Sequence, residues 1–367
     1  MSLLDRTILT YFLRAWLIGF VSLLSLYIVI DLFNKFDEFL EAAEGNFHNM
    51  LLVIGTYYSY QLVLIFDRLS GVLIVLAAMF TIAWMQRNNE LLCLLSAGIS
   101  ARRVVRPILL GSFLVLGVSL INRELIMPQL MDKLMRPATD PRGELPCRAY
   151  GAFEPNGILI SGQEALRRYQ LVYHLTVTIP ERIAGSLQHI RAREARYIPP
   201  SSDYYSGGWL LIDTTPRILP GNWHSPVLEI IDPGKFFLRT ERVDFQLITR
   251  PPGWFQYAST YTIFLELQRP ETVGLSILAV QFHLRLTMPI LAFIMTAIGI
   301  SLLLRDHQRN VFLNSGICLV VGFALFGMHH LCRHLGEHDY LGAVEAAWLP
   351  VFLFGPLAIG LWDAIRT

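Results

Sequence analysis

The chain has 367 residues, of which 53% are hydrophobic and only 16% charged, and its formal net charge is +1. Soluble domains carry about a quarter charged residues, so a chain this apolar cannot hide its side chains in one aqueous core, and a bilayer is the expected solvent. The scattered arginines, with lysine only at Lys35, Lys133 and Lys235, form no basic stripe for nucleic acid. Cys93, Cys147, Cys318 and Cys332 show no CxxC spacing, which speaks against a zinc site or disulfide framework.

In chain order, apolar runs nearly free of charge fall at Ala15–Phe33, Leu69–Met85, Val104–Ile121, Leu286–Leu304, Val311–Leu331 and Ala346–Trp362. Each has roughly 17–21 residues, enough for a helix to cross a hydrocarbon layer of about 30 Å. The first run lacks a small-x-small exit and is expected to stay as an anchor. Pro107, Pro289, Pro350 and Pro356 lie in or beside these spans, where neighbouring helices can satisfy the freed backbone groups.

Arginine placement gives an orientation. Arg6 and Arg14 precede span one, Arg87, Arg102, Arg103 and Arg106 lie between two and three, Arg305 and Arg309 between four and five, and Arg366 follows six. The opposite short loops hold Lys35, Arg68 and Arg333 among the acids Asp37, Glu38, Glu41, Glu44, Glu337 and Asp339. By the positive-inside rule both termini are cytoplasmic and the long insertion between spans three and four is external.

Within that insertion, Gly157–Ser161, Gln170–Ile179, Gly208–Asp213 and Lys235–Arg250 are rich in β-branched and aromatic residues. In the second, Val172, His174, Thr176 and Thr178 alternate with Tyr173, Leu175, Val177 and Ile179. Turn formers separate them at Glu154-Pro155-Asn156-Gly157, Pro199-Pro200-Ser201-Ser202-Asp203, Pro220-Gly221-Asn222 and Asp232-Pro233-Gly234. The pattern reads as an antiparallel sandwich or open barrel. The expected fold is a polytopic α-helical membrane protein of six spans with an inserted β-rich domain. Its parts are 1–127 with three spans, 128–270 as the β domain, and 271–367 with three more.

Short motifs stand at Leu4-Asp5-Arg6, Asn89-Glu90-Leu91, Ser96-Ala97-Gly98-Ile99-Ser100, Met127-Pro128, and Ile190-Arg191-Ala192-Arg193-Glu194-Ala195 followed by Gly208-Trp209-Leu210-Leu211. His283-x-Arg285-Leu286-x-Met288-Pro289 and Ala347-Trp348-Leu349-Pro350 complete the set. Together, in this order over the chain, they resemble the lipopolysaccharide-export permease family. The resemblance implies a subunit of an ABC exporter in the bacterial inner membrane. It would pair with a second homologous permease subunit and a cytoplasmic ATPase dimer. The lipid would be drawn from the outer leaflet and passed by a jelly-roll-like periplasmic domain to a periplasmic bridge protein.

The chain has no G-x-x-x-x-G-K-[ST] and none of its lysines follows a glycine-rich loop, so no ATP site, catalytic residue, cofactor or metal is expected. ATP energy must then arrive through a protein contact. Asn88–Gly98 is the candidate: Asn88 can cap, Glu90 suits the positive end of a helix dipole, and Leu91, Leu94, Leu95 and Gly98 fall on one face. Such a helix can dock in a partner's groove or lie on lipid with Arg102 and Arg103 at the headgroups.

Lys35 can meet a lipid phosphate, or snorkel as an ordinary interfacial lysine beside Asp37 and Glu38. The resemblance places lipid entry between span one and span five of the neighbouring subunit. Phe33, Lys35 and Phe36 would line that path with Phe326 and Met328, span one being a mobile wall joined to the rest by the polar, acidic loop Asp37–Asn49. Asp67-Arg68 and Glu345 are expected to be paired or to face a cavity. His329, His330, Cys332, His334 and His338 read as interfacial residues rather than metal ligands. Rival functions are an intramembrane lipid-modifying enzyme, which needs polar groups converging from several spans, and a passive envelope anchor, which has no use for a cytoplasmic helix.

Overall fold

The structure, a computed structural model, describes residues 2–42, 47–136, 140, 145–201, 205–218, 227–269, 274–305 and 311–363. Expectations at Glu44, Ser202-Asp203, Pro220-Gly221-Asn222, Arg309 and Arg366 fall outside them. The chain divides into two compact units, one made of Met1–Leu134, Phe255–Gln268 and Gly274–Thr367, the other of Met135–Trp254 and Arg269–Val273.

The first unit is helical. Helix α1 spans Leu3–Asn34 and opens on a capping box, in which Ser2 Oγ accepts from Asp5 N–H and Asp5 accepts from Ser2 N–H at 2.9 Å. Its buried side chains are Ile8, Phe12 and Phe20, so most of its surface faces outward. A Cβ at Gly111 would run into the Phe12 ring, and the glycine thus permits the close approach of α1. Helix α2 covers Phe36–Ala42, and α3 runs unbroken through Phe47–Arg87. The stretch Asp37–Asn49, expected as a loop, is therefore helical over most of its described part. Phe36, Phe39 and Leu40 share a face, and buried Phe39 packs edge-on to Tyr57 with ring centres 5.3 Å apart.

Span two, expected from Leu69, begins at Phe47. Tyr57, Tyr58, Tyr60, Gln61 and Asp67 lower the hydropathy of that stretch, yet none of them breaks a helix. After α4 (Glu90–Ser96) comes α5 (Ala101–Ile121), which continues through a π turn at Asn122–Ile126 into α6 (Met127–Leu134). Residues 128–134, expected in the β domain, thus extend the third long helix.

The second unit holds β1 (Cys147–Arg148), β2 (Ala152–Phe153), β3 (Leu159–Ser161), β4 (Glu164–Leu166), β5 (Leu171–Ile179), α7 (Glu181–Ala184), β6 (Gln188–Ile198), β7 (Gly208–Thr215), β8 (Leu228–Asp232), β9 (Lys235–Arg239) and α8 (Phe245–Ile248). The strands form one nine-stranded antiparallel sheet in the order β1-β4-β5-β6-β7-β9-β8, with β3 also on β5 and β2 on β3. The expected strand Lys235–Arg250 stops at Arg239, because Asp244 caps α8 by accepting from Leu247 N–H at 2.7 Å. The long strand β6 was legible only as a motif.

The predicted alternation in β5 also inverts part-way. Val172 is buried together with Leu175, Val177 and Ile179. His174, at φ 51°, takes the left-handed conformation and turns the following side chains over. Asp213, at φ 54°, stands at a like inversion in β7, between buried Leu211 and buried Thr214. The result is a single apolar core that includes Ile158, Val172, Leu175, Val177, Trp209 and Phe236.

Helices α9 (Thr260–Leu267), α10 (Leu275–Arg305), α11 (Val311–Glu337) and α12 (Ala343–Asp363) complete the first unit. Among the described residues, five helices are long and apolar enough to cross a membrane: Leu3–Asn34, Phe47–Arg87, Ala101–Leu134, Leu275–Leu304 and Ala343–Asp363. The remaining expected span coincides with α11, where the side chains of 311–315, 317–319, 321 and 325 lie outside the described residues.

One buried carboxylate ties the second unit together. Glu154 is 1% exposed and accepts from the backbone N–H groups of Glu241, Arg242 and Val243, the last at 2.7 Å. Glu154→Ala is expected to destabilise this unit by about 3 kcal/mol, because hydrogen bonds to a charged acceptor are lost and a buried donor is orphaned. Amide exchange at 241–243 in the intact protein checks this, with a smaller effect expected for Glu154→Gln.

Candidate functional site

The helical unit gathers several of its ends in one place. Leu4 and Ile8 of α1, Met85 of α3, Leu91 and Leu94 of α4, Val104 and Val105 of α5, Leu303 of α10 and Trp362 of α12 share one apolar cluster. Gln86 donates to the Leu303 carbonyl at 2.8 Å, and Arg102 approaches Asp363 at 3.7 Å. Arg6, Arg87, Arg102, Arg103 and Arg106 belong to the helix ends that meet here.

Helix α4 lies at this end. Its cap is Asn89, at φ 61°, with no side-chain bond, rather than Asn88. Only two residues separate α3 from α4, and so tight a reversal needs a left-handed residue, which asparagine tolerates. Gly98, at φ 79°, ends the helix in a conformation that a side chain rarely adopts. The expected stripe is divided by burial. Leu91 is 5% exposed and Leu94 half-buried against the core, whereas Leu92, Leu95 and Gly98 are exposed and Glu90 is partly so.

At the opposite end of α1, Lys35 Nζ lies 2.9 Å from Asp31 Oδ1 and donates to the Tyr57 hydroxyl at 2.6 Å. Tyr58 OH in turn donates to Asp31 at 3.1 Å. Lys35 is thus held by the residue one turn before it, not by Asp37 or Glu38, which lie beyond the break between α1 and α2. Phe33 is 78% exposed, Phe36 is exposed, and Met328 of α11 is half-buried beside exposed Phe326.

A third constellation lies where α3, α5, α9 and α10 meet. Arg123 on the π turn forks onto Asp67 of α3, Nε to Oδ1 at 2.9 Å and Nη2 to Oδ2 at 3.2 Å. The next residue, Glu124, accepts from Thr260 N–H at 2.8 Å and from its hydroxyl. Arg285, 8% exposed, donates to the carbonyls of Ala258, Phe255 and Gln256 at 2.6, 2.8 and 3.2 Å and lies 4.0 Å from Glu124. Asp67 is paired as expected of a charge at such depth, but with Arg123 rather than with its neighbour Arg68.

The family description "Lipopolysaccharide export system permease LptF/LptG" matches residues 6–145 and 176–363. That is most of the chain. The chain belongs to the lipopolysaccharide export permease family. No curated protein matches it. As a family permease it is a transport subunit of the inner membrane, and all three constellations, Leu4 apart, fall inside the matched residues. The stretch outside the match, 146–175, holds the short strands β1 to β4 and the start of β5.

In this permease, sequence alone left Arg285 without a role and did not single out Glu124. Arg285 bonds mainly to main-chain carbonyls, its complementary charge Glu124 lies far away in sequence, and the π turn that aims Glu124 has no signature. The histidines of α11 scatter: His329 is buried, while His330 and His334 are exposed. Among the described residues no group of three or more His, Cys, Asp or Glu side chains is placed to hold a metal.

Proposed function

We propose that this permease is one membrane half of an ATP-driven exporter. It draws lipopolysaccharide from the outer leaflet of the inner membrane and hands it to a periplasmic bridge protein. A separate cytoplasmic ATPase dimer supplies the energy, and a second homologous permease subunit completes the pathway. The observation that carries the reading is α4, a short helix with exposed Leu92 and Leu95 at the arginine-rich end of a family permease. The core already uses Leu91 and Leu94, so Glu90, Leu92, Leu95 and the bare backbone at Gly98 make the surface offered to the ATPase. Glu90→Lys is expected to lower ATPase retention on purification by about tenfold, equivalent to ~1.4 kcal/mol of contact, with membrane insertion unchanged. Full retention together with normal transport would remove α4 from the coupling role.

In this reading α11 supplies the sixth span, both termini are cytoplasmic and the β unit is periplasmic. The clustering of the basic helix ends supports it through the positive-inside rule. Cysteines at exposed Tyr169 and Leu187, in a chain freed of its native cysteines, are expected to react with a membrane-impermeant reagent added to the periplasmic side. Reaction only from the cytoplasm would invert the topology.

Lipid enters beside α1, against α11 of the neighbouring subunit. The support is the thin packing of α1 and the bulky Phe33 and Phe36 it leaves exposed beside Lys35. Lys35 keeps a third donor after Asp31 and Tyr57 have taken two, so a phosphate meets a lysine already held in place. Photo-crosslinkers at Phe33, Phe36 and Met328 are expected to capture lipopolysaccharide in cells, while buried Phe12 stays clean. Capture at Phe12 alone would move the entry elsewhere.

A further inference from the structure

The chain leaves the β unit at Trp254 and enters the helical unit at Phe255. The first residues after that crossing are gripped from two directions. Arg285 of α10 holds three carbonyls within four residues, those of Phe255, Gln256 and Ala258. Glu124 of the π turn holds the start of α9 through the N–H and hydroxyl of Thr260, while Ser259 caps the same helix by accepting from Thr262 N–H at 3.1 Å. Neighbouring residues on a helix point about 100° apart, so the π turn can send Arg123 to α3 and Glu124 to α9. Three long helices and the tether of the β unit therefore meet in one polar knot.

A connecting segment does not need this. Its carbonyls could face water, and burying a guanidinium among transmembrane helices is costly unless its donors are satisfied. Here the donors go chiefly to main-chain carbonyls, with the Thr260 hydroxyl and the Glu124 carboxylate alongside. Such a contact fixes where the segment lies.

We propose that Glu124 and Arg285 are positioning residues for transport, forming a fixed joint that delivers movement of α5 and α10 to the chain where it leaves the β unit. This rests on the permease reading above. Loosening the joint leaves the ATPase contact intact and spoils the passage of work to the β unit.

The test uses the complete transporter in proteoliposomes, with lipopolysaccharide release and ATP hydrolysis measured together. Glu124→Gln and Arg285→Gln are expected to lower lipid released per ATP by about fivefold or more, the low end for coupling between sites. ATP hydrolysis and subunit assembly stay at the unmutated level, and amides 255–263 exchange faster. A Glu124→Cys/Thr260→Cys pair in a chain freed of other cysteines, bridged by a short reducible bis-thiosulfonate linker, is expected to recover the ratio and to lose it on reduction. A merely structural role would not follow the reductant in protein already assembled. The proposal is overturned if the ratio holds in variants whose 255–263 amides have been freed, if assembly falls along with it, or if the linker restores nothing. Failure of the permease reading looks different: the unmutated transporter then releases no lipid at all.

Discussion

Hydrocarbon offers no water to a polar group, and the helical unit is arranged around that constraint. Several of its charged side chains are matched within the protein, as Lys35 is by Asp31 and Arg123 by Asp67. Arg285 is the extreme case, satisfied by carbonyls that a turn would otherwise leave bare. These matches decide which helices can be neighbours. Apolar contacts between lipid-facing helices are nearly interchangeable with contacts to lipid, whereas a buried charge has one partner set.

Packing is uneven across the bundle. Helices α3, α5 and α10 contribute most of the shared core, including Ile74, Ala78, Ile82, Val104, Ile108 and Ile300. Helix α1 joins it through Ile8 and Phe12 near its start, and farther on Trp16 and Phe20 stack with Phe66 set edge-on to both. Beyond Phe20 its contacts are chiefly the polar ties of Asp31 and Lys35 to Tyr57 and Tyr58. The thinly packed part of α1 is therefore its second half, where no side chain after Phe20 is buried.

Much of this was legible in the sequence where a single physical signal dominated. Apolar runs located the long helices, and turn formers bracketed several strands. Legibility failed where signals competed. The tyrosines of α3 masked its first half, and acidic Asp37, Glu38 and Glu41 disguised α2 as a loop. The arginines of β6 hid a central strand whose inward positions are Ile190, Ala192 and Ala195. On α4 the leucine spacing could not say which leucines the protein keeps for itself. The knot around Glu124 and Arg285 joins residues more than a hundred positions apart, a distance no local pattern can bridge.

The length of α3 sets how deep the molecule floats. At 1.5 Å per residue, its 41 residues reach about 62 Å, twice the thickness of a hydrocarbon layer and more than a usual helix tilt can absorb. Counted back from Arg87, a hydrocarbon layer of about 30 Å ends near Asp67, and a headgroup layer of about 6 Å beyond it ends near Val63. On that count Asp67 and its partner Arg123 stand at the edge of the layer, with Tyr60, Tyr58 and Tyr57 about two to three turns beyond it. A thicker or thinner membrane would then meet a helix already long enough for either, with the ion pair and the tyrosines as graduations along it.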